Sequence, residues 1–435
     1  METQDLKTED GRRELTRSTG LPSSVFRLPM KSPRRAAVSI LRAWGKGHAY
    51  AESLIERHAS RNELSSADRA LLNAIVLGVL RHRRLLDEWI GHLRKGKLDH
   101  ETRDILRVGL CQLLILQLPD HAAVFETVEL GKSPVRGLIN AVMRRAQSSK
   151  NKLLDLSELP PAVAFSHPDW LFNRWKKQFG RDAAVELMAF HNQPPPTIAR
   201  INPLAGSADY EIGIPTDLEG YFQVPGPLPT DLLATGAIYI TDPATRHCVE
   251  LLDPQPGEII LDACAAPGGK AFLIAAAQPD LGALVCTDSN EKRLPRLREN
   301  LERLHITPNE VACHDWTRPA PGRWHGAFDA ILLDVPCSNT GVLRRRVDVR
   351  WRLHPEQLTE LVGIQRAILN AALPCLKPGG RLVYSTCSLE PEENEGQIES
   401  FLADHPELRL AGTRQALPHR DGTDGAFAAR LETSA

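Results

Sequence analysis

The stretch IILDACAAPGGK, residues 259–270, constrains the fold of this 435-residue chain more than any other segment. It opens with three apolar residues, and a short apolar run bounded by turn formers is typical of a buried parallel strand. A turn of small residues follows Asp262, and the residues after it favour a helix. A strand, a glycine-containing turn and a helix predict a nucleotide-binding α/β unit, in which the ligand lies beyond the carboxyl ends of the strands. The glycines let backbone N–H groups approach such a ligand closely.

The turn matches neither of the two common phosphate-binding patterns. It is not G-x-G-x-x-G, which binds dinucleotides, and it is not the P-loop pattern G-x-x-x-x-G-K-[ST]. By itself, the stretch is equally compatible with an ordinary strand-to-helix connection. The residues that follow it decide between these interpretations.

Strand and helix patterns alternate after Lys270. Strands are expected at residues 283–287, 311–313, 330–333 and 381–384, with helical segments between most of them. This alternation predicts a doubly wound, mostly parallel sheet. Polar residues at the carboxyl ends of these strands would then share one edge of the sheet, where ligands bind.

Three acidic residues follow successive predicted strands. Asp288 comes 26 residues after Asp262, a distance at which a carboxylate accepts hydrogen bonds from ribose hydroxyls. Asp315 could receive an adenine amino group, and Asp334 ends the fourth strand. Any one of them could instead be a helix N-cap or a turn residue. Together, and without a phosphate-binding motif, they favour S-adenosylmethionine over NAD or ATP as the cofactor.

Two cysteines follow neighbouring predicted strands, Cys337 in DVPCS and Cys387 in STCS. A thiolate that adds to carbon 6 of a pyrimidine makes carbon 5 able to take a methyl group, and a base must then remove the carbon 5 proton. Asp334, if protonated, could stabilise the ring at N3. These residues leave open which thiol has which role. We expect the other cysteines outside the glycine turn to be small buried residues: Cys111, Cys248, Cys286, Cys313 and Cys375.

The motifs DACAAPGGK, LLDVPCSNTG and YSTCSLEPEENE resemble those of the cytosine-5 RNA methyltransferases. The resemblance implies a Rossmann-like fold, S-adenosylmethionine as the methyl donor, Cys387 as the nucleophile and Cys337 as the acid/base that releases the product. DNA cytosine methyltransferases use the Pro-Cys thiol as nucleophile, but the Thr-Cys-Ser sequence favours the RNA branch. The cofactor contacts that the resemblance implies are Cys264, Ala265, Ala266, Pro267, Gly268, Gly269, Lys270, Asp288, Asp315 and Asp334.

The front of the chain is basic. Residues 31–152 contain 22 Lys and Arg against 12 Asp and Glu, whereas residues 153–435 contain 26 against 37. A basic segment joined to an acidic one suggests that the first binds a polyanion, although solvated helix faces also carry arginines. Helical spacing of apolar residues predicts a compact bundle. The stretches RRAAVSILRAW, AIVLGVLRHRRLLD, ILRVGLCQLLIL and GLINAVMRR resemble a NusB-type RNA-binding domain.

The sequence thus predicts a multidomain chain. We expect a disordered tail at residues 1–30, an all-α NusB-like RNA-binding domain at 31–150, a small α+β linker domain at 151–237 and an α/β Rossmann-like methyltransferase domain at 238–435. The stretches SHPDWLFNRW, NQPPPTIARIN, YITDPAT and HRDGTDGAFAARL extend the resemblance to the bacterial 16S rRNA cytosine-5 methyltransferases that carry a NusB-like front domain. Two departures, at residues 346–348 and at Ala426, put details of the substrate pocket in doubt.

Composition excludes several other classes. The eight cysteines contain no C-x-x-C pair, so we expect no zinc ribbon and no metal. No run approaches the ~20 apolar residues of a membrane span, and no secretory signal is apparent, so a cytosolic enzyme with reduced thiols is expected. The predicted partner is 16S rRNA, with no obligate protein partner. A transfer RNA cytosine-5 methyltransferase and a non-catalytic NusB-like RNA-binding factor are the alternatives.

Overall fold

The computed structural model describes residues 32–47, 49–206 and 212–433. The expected disordered tail at residues 1–30 lies outside the described residues. The described chain forms a helical bundle, a small four-stranded sheet with its own helices, and a seven-stranded sheet covered by helices. Within the described residues, no helix combines the length and the apolar character that crossing a membrane requires.

The basic front segment is helical, as the apolar spacing predicts. Its interior is an apolar cluster that includes Leu72, Ile75 and Leu106. The sequence predicted one helix from residue 103 to the proline at 119, but the α-helix ends at Leu110 and continues as a π-helical turn, Cys111–Ile115. The helices are α1 (Pro33–Trp44), α2 (Ala51–Arg61), α3 (Ser66–Arg81), α4 (Arg83–Leu93), α5 (His100–Leu110), α6 (Asp120–Leu130), α7 (Ser133–Ser148) and α8 (Lys150–Leu154).

The middle of the chain combines helices with a small antiparallel sheet in the strand order β2-β3-β1-β4. Its elements are α9 (Pro161–Ala164), α10 (Asp169–Phe179), α11 (Arg181–His191), β1 (Ile198–Ile201), β2 (Ile214–Pro215), β3 (Tyr221–Gln223), α12 (Thr230–Ala234) and β4 (Ile238–Ile240). The sequence analysis placed residues 238–240 at the start of the catalytic domain. That placement is wrong for this strand, because β4 pairs with β1 and buries Ile238 in the core of the small sheet.

The last part of the chain is the predicted α/β domain. Its seven-stranded sheet has the order β10-β11-β9-β8-β5-β6-β7. Strands β5 to β9 are parallel, β11 pairs antiparallel with β9, and β10 pairs antiparallel with β11. The sequence analysis did not predict β10 and β11. The elements are α13 (Arg246–Leu252), β5 (Ile259–Asp262), α14 (Gly269–Ala277), β6 (Ala283–Asp288), α15 (Leu294–Arg303), β7 (Glu310–Cys313), β8 (Phe328–Asp334), α16 (Pro355–Ala372), β9 (Leu376–Thr386), α17 (Glu395–Asp404), β10 (Leu408–Ala416), α18 (Pro418–Asp421) and β11 (Ala426–Thr433).

The prediction that five of the cysteines are small buried residues is right for four of them. Cys111, Cys248, Cys286 and Cys375 are buried. Cys313 is exposed, because it ends β7, which is the edge strand of the large sheet.

A segment of the catalytic domain, residues 343–353, joins the three parts of the chain. Val347 packs into the apolar core of the bundle. The Asp348 carboxylate accepts hydrogen bonds from Trp44 Nε1 at 3.2 Å and from the backbone N–H of Ala51 at 2.9 Å. The departure from the family pattern at residues 346–348 therefore lies where the bundle docks onto the catalytic domain.

Arg350 lies at the centre of this junction and is fully buried. Its guanidinium donates to the carbonyl oxygens of Arg81 in the bundle, His191 in the middle part and Leu343 in the catalytic domain, and to Asn192 Oδ1 at 2.8 Å. No carboxylate of the described residues forms an ion pair with it. Burial, together with the nearby Arg81, lowers the pKa of Arg350 to about 9.

Two buried histidines, His167 and His191, and the half-buried His82 lie near Arg350. Burial lowers the pKa of His167 and of His191 well below the usual value, and the positive charge of Arg350 adds to this effect. Burial, Arg81 and Arg350 lower the pKa of His82 to about 3. The two rings of His167 and His191 stack with their centroids 5.7 Å apart. All three side chains are therefore neutral in the folded protein at ordinary pH.

We expect the folded protein to lose stability as the pH falls below about 6.5, the usual pKa of histidine in an unfolded chain. The unfolded chain then binds protons that the buried rings cannot, so each such histidine costs about 1.4 kcal/mol of unfolding free energy per pH unit. His191→Leu should reduce the slope by that amount, because leucine binds no proton in the unfolded chain. The substitution breaks no hydrogen bond, since neither ring nitrogen of His191 has a partner. Urea unfolding between pH 7.5 and pH 5 measures both slopes, and equal slopes would contradict the assignment.

Candidate active site

The parallel pairing of β8 with β9 brings the two predicted thiols together. Asp334 at the end of β8 lies in register with Ser385 near the end of β9, so the loops that carry Cys337 and Cys387 leave the sheet side by side. The two Sγ atoms are 3.3 Å apart. Both cysteines are reduced and unpaired in the described structure.

The loop after Cys337 is held in a fixed shape by Asn339, which the sequence analysis did not single out. Asn339 adopts a left-handed backbone conformation (φ 60°), a region that asparagine tolerates better than most residues. Its side-chain amide donates to the carbonyl oxygen of Cys337 at 2.6 Å, and its Oδ1 lies 3.4 Å from the Cys387 sulfur. A Cβ at Gly341 would come within 2.7 Å of the Cys387 carbonyl oxygen, so the two loops meet only because this residue is glycine.

The environments of the two thiols differ. The hydrogen bond to Cys387 and burial both raise the pKa of the Cys337 thiol well above its usual value, and the negative charges of Cys387 and Glu393 add to this. Cys337 is buried, whereas Cys387 is partly exposed. The surroundings of Cys337 therefore favour its protonated form.

The glycine turn that opened the sequence analysis begins α14. Gly268 has φ +109°, a conformation that L side chains rarely adopt, and a Cβ there would lie 3.2 Å from Leu297. Two side chains of the following β-α unit hold the turn from outside. Asn300 donates to the Pro267 carbonyl oxygen at 2.8 Å, and Arg293 donates to that of Ala266.

Lys270 and Asp334 form a close ion pair, with Nζ and Oδ2 2.6 Å apart. Burial alone would lower the pKa of Lys270, but Asp334 and other nearby anionic groups raise it, and the net shift is upward. Burial raises the pKa of Asp262 to about 7, against the opposing effect of Lys270. Neither Asp262 oxygen has a hydrogen-bond partner.

Two neighbouring cavities share Thr245, Lys270 and Asp334. The larger measures about 180 Å³ and is lined by Tyr239, Ile240, Thr241 and by residues 264–267, 269 and 270 of the turn. The smaller measures about 60 Å³, and Cys387 lines it together with Asp242, Asp424 and residues of β11. A ligand in the larger cavity therefore lies next to the Cys387 thiol.

The larger cavity fits a nucleoside cofactor in two respects. A Cβ at Gly269 would come within 2.8 Å of the Tyr239 hydroxyl, so glycine keeps the floor of the cavity open. Lys270 and Asp334 line the same cavity and offer charged polar groups to a ligand. Both features are what a polar ligand held against a glycine turn requires.

Two of the predicted carboxylates do not line either cavity. Asp288, at the end of β6, is buried and pairs with Arg293 at 3.1 Å. Asp315, after β7, is exposed and accepts hydrogen bonds from the N–H and hydroxyl of Thr317. The structure thus gathers most of the turn, Asp334 and the thiol pair at one place, with Asp288 and Asp315 at adjacent strand ends.

A buried group of two acids and two arginines borders the smaller cavity, and the sequence analysis missed it. Arg344 contacts Asp242 at 3.2 Å and Asp424 at 2.7 Å, and Arg345 contacts Asp242 at 3.0 Å and also pairs with Asp424. Burial raises the pKa of Asp424, and Asp242 adds to this while the two arginines oppose it. Asp242 lies in YITDPAT and Asp424 in HRDGTDG, but the contact between them joins residues 182 positions apart in the sequence.

No metal centre is evident in this region. Within the described residues, no group of three or more His, Cys, Asp or Glu side chains is placed to hold an ion.

The sheet order, the glycine turn and the cavity beside the thiols define an α/β methyltransferase that uses S-adenosylmethionine. Three protein-family models match separate segments of the chain, and they agree with this class. The model for 16S rRNA methyltransferase RsmB/F matches residues 249–432, the NusB family matches residues 31–148, and the ferredoxin-like domain of RsmF/B-like methyltransferases matches residues 167–210.

Relatives match along most of the chain. A probable ribosomal RNA small subunit methyltransferase B of Synechocystis sp. is 35% identical over 450 residues, which cover 93% of this chain and 100% of the relative. Ribosomal RNA small subunit methyltransferase B of Yersinia pseudotuberculosis is 36% identical over 401 residues, covering 85% and 92%. The chain therefore belongs to the 16S rRNA methyltransferase RsmB/F family, whose methyl donor is S-adenosylmethionine.

Solved structures confirm the architecture. The protein PH0851 superposes with a TM-score of 0.74 at 25% identity, covering 93% of this chain and 99% of its own. A methyltransferase homologue from Pyrococcus horikoshii gives a TM-score of 0.53 at 27% identity, covering 64% of this chain and all of its own. The predicted NusB-like bundle, small α+β part and Rossmann-like methyltransferase domain are thereby confirmed as the fold.

Proposed function

We propose that this protein methylates carbon 5 of a cytosine in 16S rRNA through a covalent adduct between Cys387 and carbon 6 of the base. The observation that carries this proposal is the pair of sulfurs 3.3 Å apart beside the cavity that Lys270 and Asp334 border. The names of the relatives supply the small-subunit ribosomal RNA. A transfer RNA substrate is the alternative, and no feature of the described residues favours it.

Cofactor binding is assigned to the larger cavity. Residues 264–270 and Asp334 would hold S-adenosylmethionine there, with Asp288 and Asp315 at its ribose and adenine ends. When bound, the cofactor supplies a methyl group on a sulfonium. Asp288 would exchange its contact with Arg293 for a ribose hydroxyl, which is a modest change because the Arg293 side chain is half-exposed.

The first chemical step is the attack of the Cys387 sulfur on carbon 6. Cys387 is suited to it because it is partly exposed and lines the smaller cavity, whereas the raised pKa of Cys337 favours the protonated form of that thiol. The ring gains electron density in this step and needs a proton donor near N3. The sequence analysis suggested a protonated Asp334 for this role. The Lys270 ammonium contacts Asp334 and lines both cavities, and this pair is proposed to stabilise the ring at N3 by hydrogen bonding.

The release step needs a base for the carbon 5 proton, and Cys337 is the proposed base. Its pKa is raised mainly by its hydrogen bond to Cys387 and by burial, and the charge on Cys387 adds to this. Once the Cys387 sulfur is bonded to carbon 6, it carries no charge and no longer accepts that hydrogen bond. Cys337 then ionises more readily and gives its own proton to water. The resulting thiolate takes the carbon 5 proton, the electron pair of that C–H bond forms the C5–C6 double bond, and Cys387 leaves as the thiolate.

A non-catalytic RNA-binding factor is the remaining alternative. The thiol pair, the ion pair and the cavity occur together at the edge of one sheet. A protein that only bound RNA would have no use for two sulfurs in contact at a partly exposed site. The arrangement therefore supports an enzyme.

RNA is proposed to bind along a basic groove of about 700 Å³ in the bundle. The groove lies among α1, α3, α4 and α5 and is lined by Arg35, Arg42, Trp44, Lys46 and Arg83, among others. The Arg83 guanidinium lies 5.1 Å from the centroid of the Trp44 ring. Lysines and arginines that contact phosphates release counterions, so this part of the affinity should depend on salt.

Cys387→Ala should lower the methylation rate by about a thousandfold or more, because it removes the nucleophile. Binding of S-adenosylmethionine should remain within about twofold, since the larger cavity does not include this residue. Methyl transfer to 16S rRNA and calorimetric titration of the cofactor measure the two effects. Methylation near the wild-type rate would overturn the assignment.

Cys337→Ala should form the covalent adduct but fail to release it. A stable complex between the protein and 16S rRNA should then be visible on a denaturing gel when S-adenosylmethionine is supplied. The double variant lacking both thiols is the control and should give no such band. If the single variant also gives none, Cys337 does not act in release.

Arg35→Gln and Lys46→Gln should weaken RNA binding and reduce its salt dependence, with the slope of log K against log salt falling by about 0.7–0.9 per lost phosphate contact. Both side chains are exposed in the groove, so folding should be unaffected. Lys176→Gln, which removes an exposed charge on α10, is the matched control. Unchanged slopes in the groove variants would place the RNA elsewhere.

A further inference from the structure

The residues that follow the two thiols meet at one buried carboxylate. Ser338 comes directly after Cys337 and Ser388 directly after Cys387, and both serine hydroxyls donate to Oε2 of Glu393. The two hydroxyl oxygens are 2.9 Å apart. Glu393 lies 55 residues along the chain from Ser338, so this contact joins the loops after two different strands.

The second oxygen of Glu393 is also fully engaged. Oε1 accepts the backbone N–H of Ser338 and the side-chain amide of Gln365, both at 2.9 Å. The same Gln365 amide donates to the Pro336 carbonyl oxygen at 3.0 Å, one residue before Cys337. The carboxylate therefore accepts four hydrogen bonds, three of which come from the residues next to the thiols.

Glu393 is itself held in place from the sheet. Its carbonyl oxygen accepts the Tyr384 hydroxyl of β9 at 2.7 Å, and its side chain is fully buried. No lysine, arginine or histidine of the described residues forms an ion pair with it. Hydrogen bonds to an ionised acceptor are roughly twice as strong as neutral ones, so a buried carboxylate with four donors is a stiff connection.

The contact of Glu393 with Ser338 and Ser388 takes no part in the pairing of strands in the large sheet. Replacing these three side chains by apolar ones would therefore break none of the hydrogen bonds between strands. What the arrangement does fix is the position of the peptide groups on either side of each thiol. A shift of about 1 Å in a reacting group can cost about a hundredfold in rate.

We propose that Glu393 is a positioning residue that sets the spacing of Cys337 and Cys387 by binding Ser338 and Ser388 together. This inference rests on the proposed function, because it concerns the same two thiols. Glu393 does not line either cavity and touches neither sulfur. It acts on the positions of the thiols through the two serines and through Gln365, which also binds the Pro336 carbonyl oxygen.

The test is Glu393→Gln in the full-length protein. The amide keeps one acceptor oxygen but presents an NH2 group where the carboxylate accepted donors, so at least one of the loops loses its contact. We expect kcat for methylation to fall at least tenfold, while KM for S-adenosylmethionine stays within about twofold. Glu392→Gln, one residue earlier and exposed, carries the same charge change and should match the wild type.

A second readout reports the spacing of the thiols without RNA. Diamide removes one hydrogen from each of two thiols in contact and joins the sulfurs, and it is itself reduced to the hydrazine. Mass spectrometry of the cross-linked peptides gives the rate at which Cys337 and Cys387 are joined. We expect this rate to fall at least tenfold in Glu393→Gln and to stay unchanged in Glu392→Gln. Equal rates in Glu393→Gln and the wild type would overturn the proposal.

A second variant covers the case in which Glu393→Gln does not fold. Ser338→Ala combined with Ser388→Ala removes the two hydroxyl donors but keeps the bonds from Gln365 and Tyr384. It should lower the cross-linking rate in the same direction, and a wild-type rate in this variant would overturn the proposal. The cross-linking result needs no methyl transfer. It therefore decides the role of Glu393 even if Cys337→Ala traps no RNA and the proposed function fails.

Discussion

The parallel pairing of β8 with β9 is the constraint on which the site depends. Because Asp334 and Ser385 lie in register, the two loops that leave these strands begin one strand spacing apart. Each loop then needs only three residues or fewer to bring its cysteine to the edge of the sheet. The neighbouring strand β5 delivers the glycine turn and Lys270 to the same edge. Sheet topology thus supplies the thiols, the ion pair and the cavity without any long connection.

A second constraint comes from the segment of residues 343–353, which leaves the same edge of the sheet. Arg344 and Arg345 face the acids beside the smaller cavity, whereas Val347, Asp348 and Arg350 contact the bundle and the middle part. This short segment therefore borders the candidate active site and also contacts both the helical bundle and the middle part of the chain. Most of the hydrogen bonds that the buried Arg350 donates go to backbone carbonyls, so the junction depends on backbone geometry more than on charge pairing.

The sequence predicted those features that follow from strand order and local pattern. The strand–turn–helix at residues 259–270, the parallel sheet and the meeting of Cys337 with Cys387 each need only the chain direction and the ends of two strands. It missed features that depend on contacts between distant residues, such as Asn339 with Cys387 or Arg344 with Asp424. It missed β10, whose residues are mostly exposed and give no apolar pattern, and it also missed β11. It assigned β4 to the wrong domain because a strand of three residues does not reveal its partner strand. Cys313 is exposed because β7 is an edge strand, which composition cannot reveal.

The burial of Arg350 among carbonyl oxygens of all three parts has a consequence for substrate choice. A linker would let the bundle and the catalytic domain sample many separations, but a shared buried guanidinium fixes one. The span from the basic groove to the thiol pair is then a constant of the folded chain. An RNA that touches both must present its target nucleotide at that span through its own tertiary shape, so selectivity resides partly in geometry that no base contact reads.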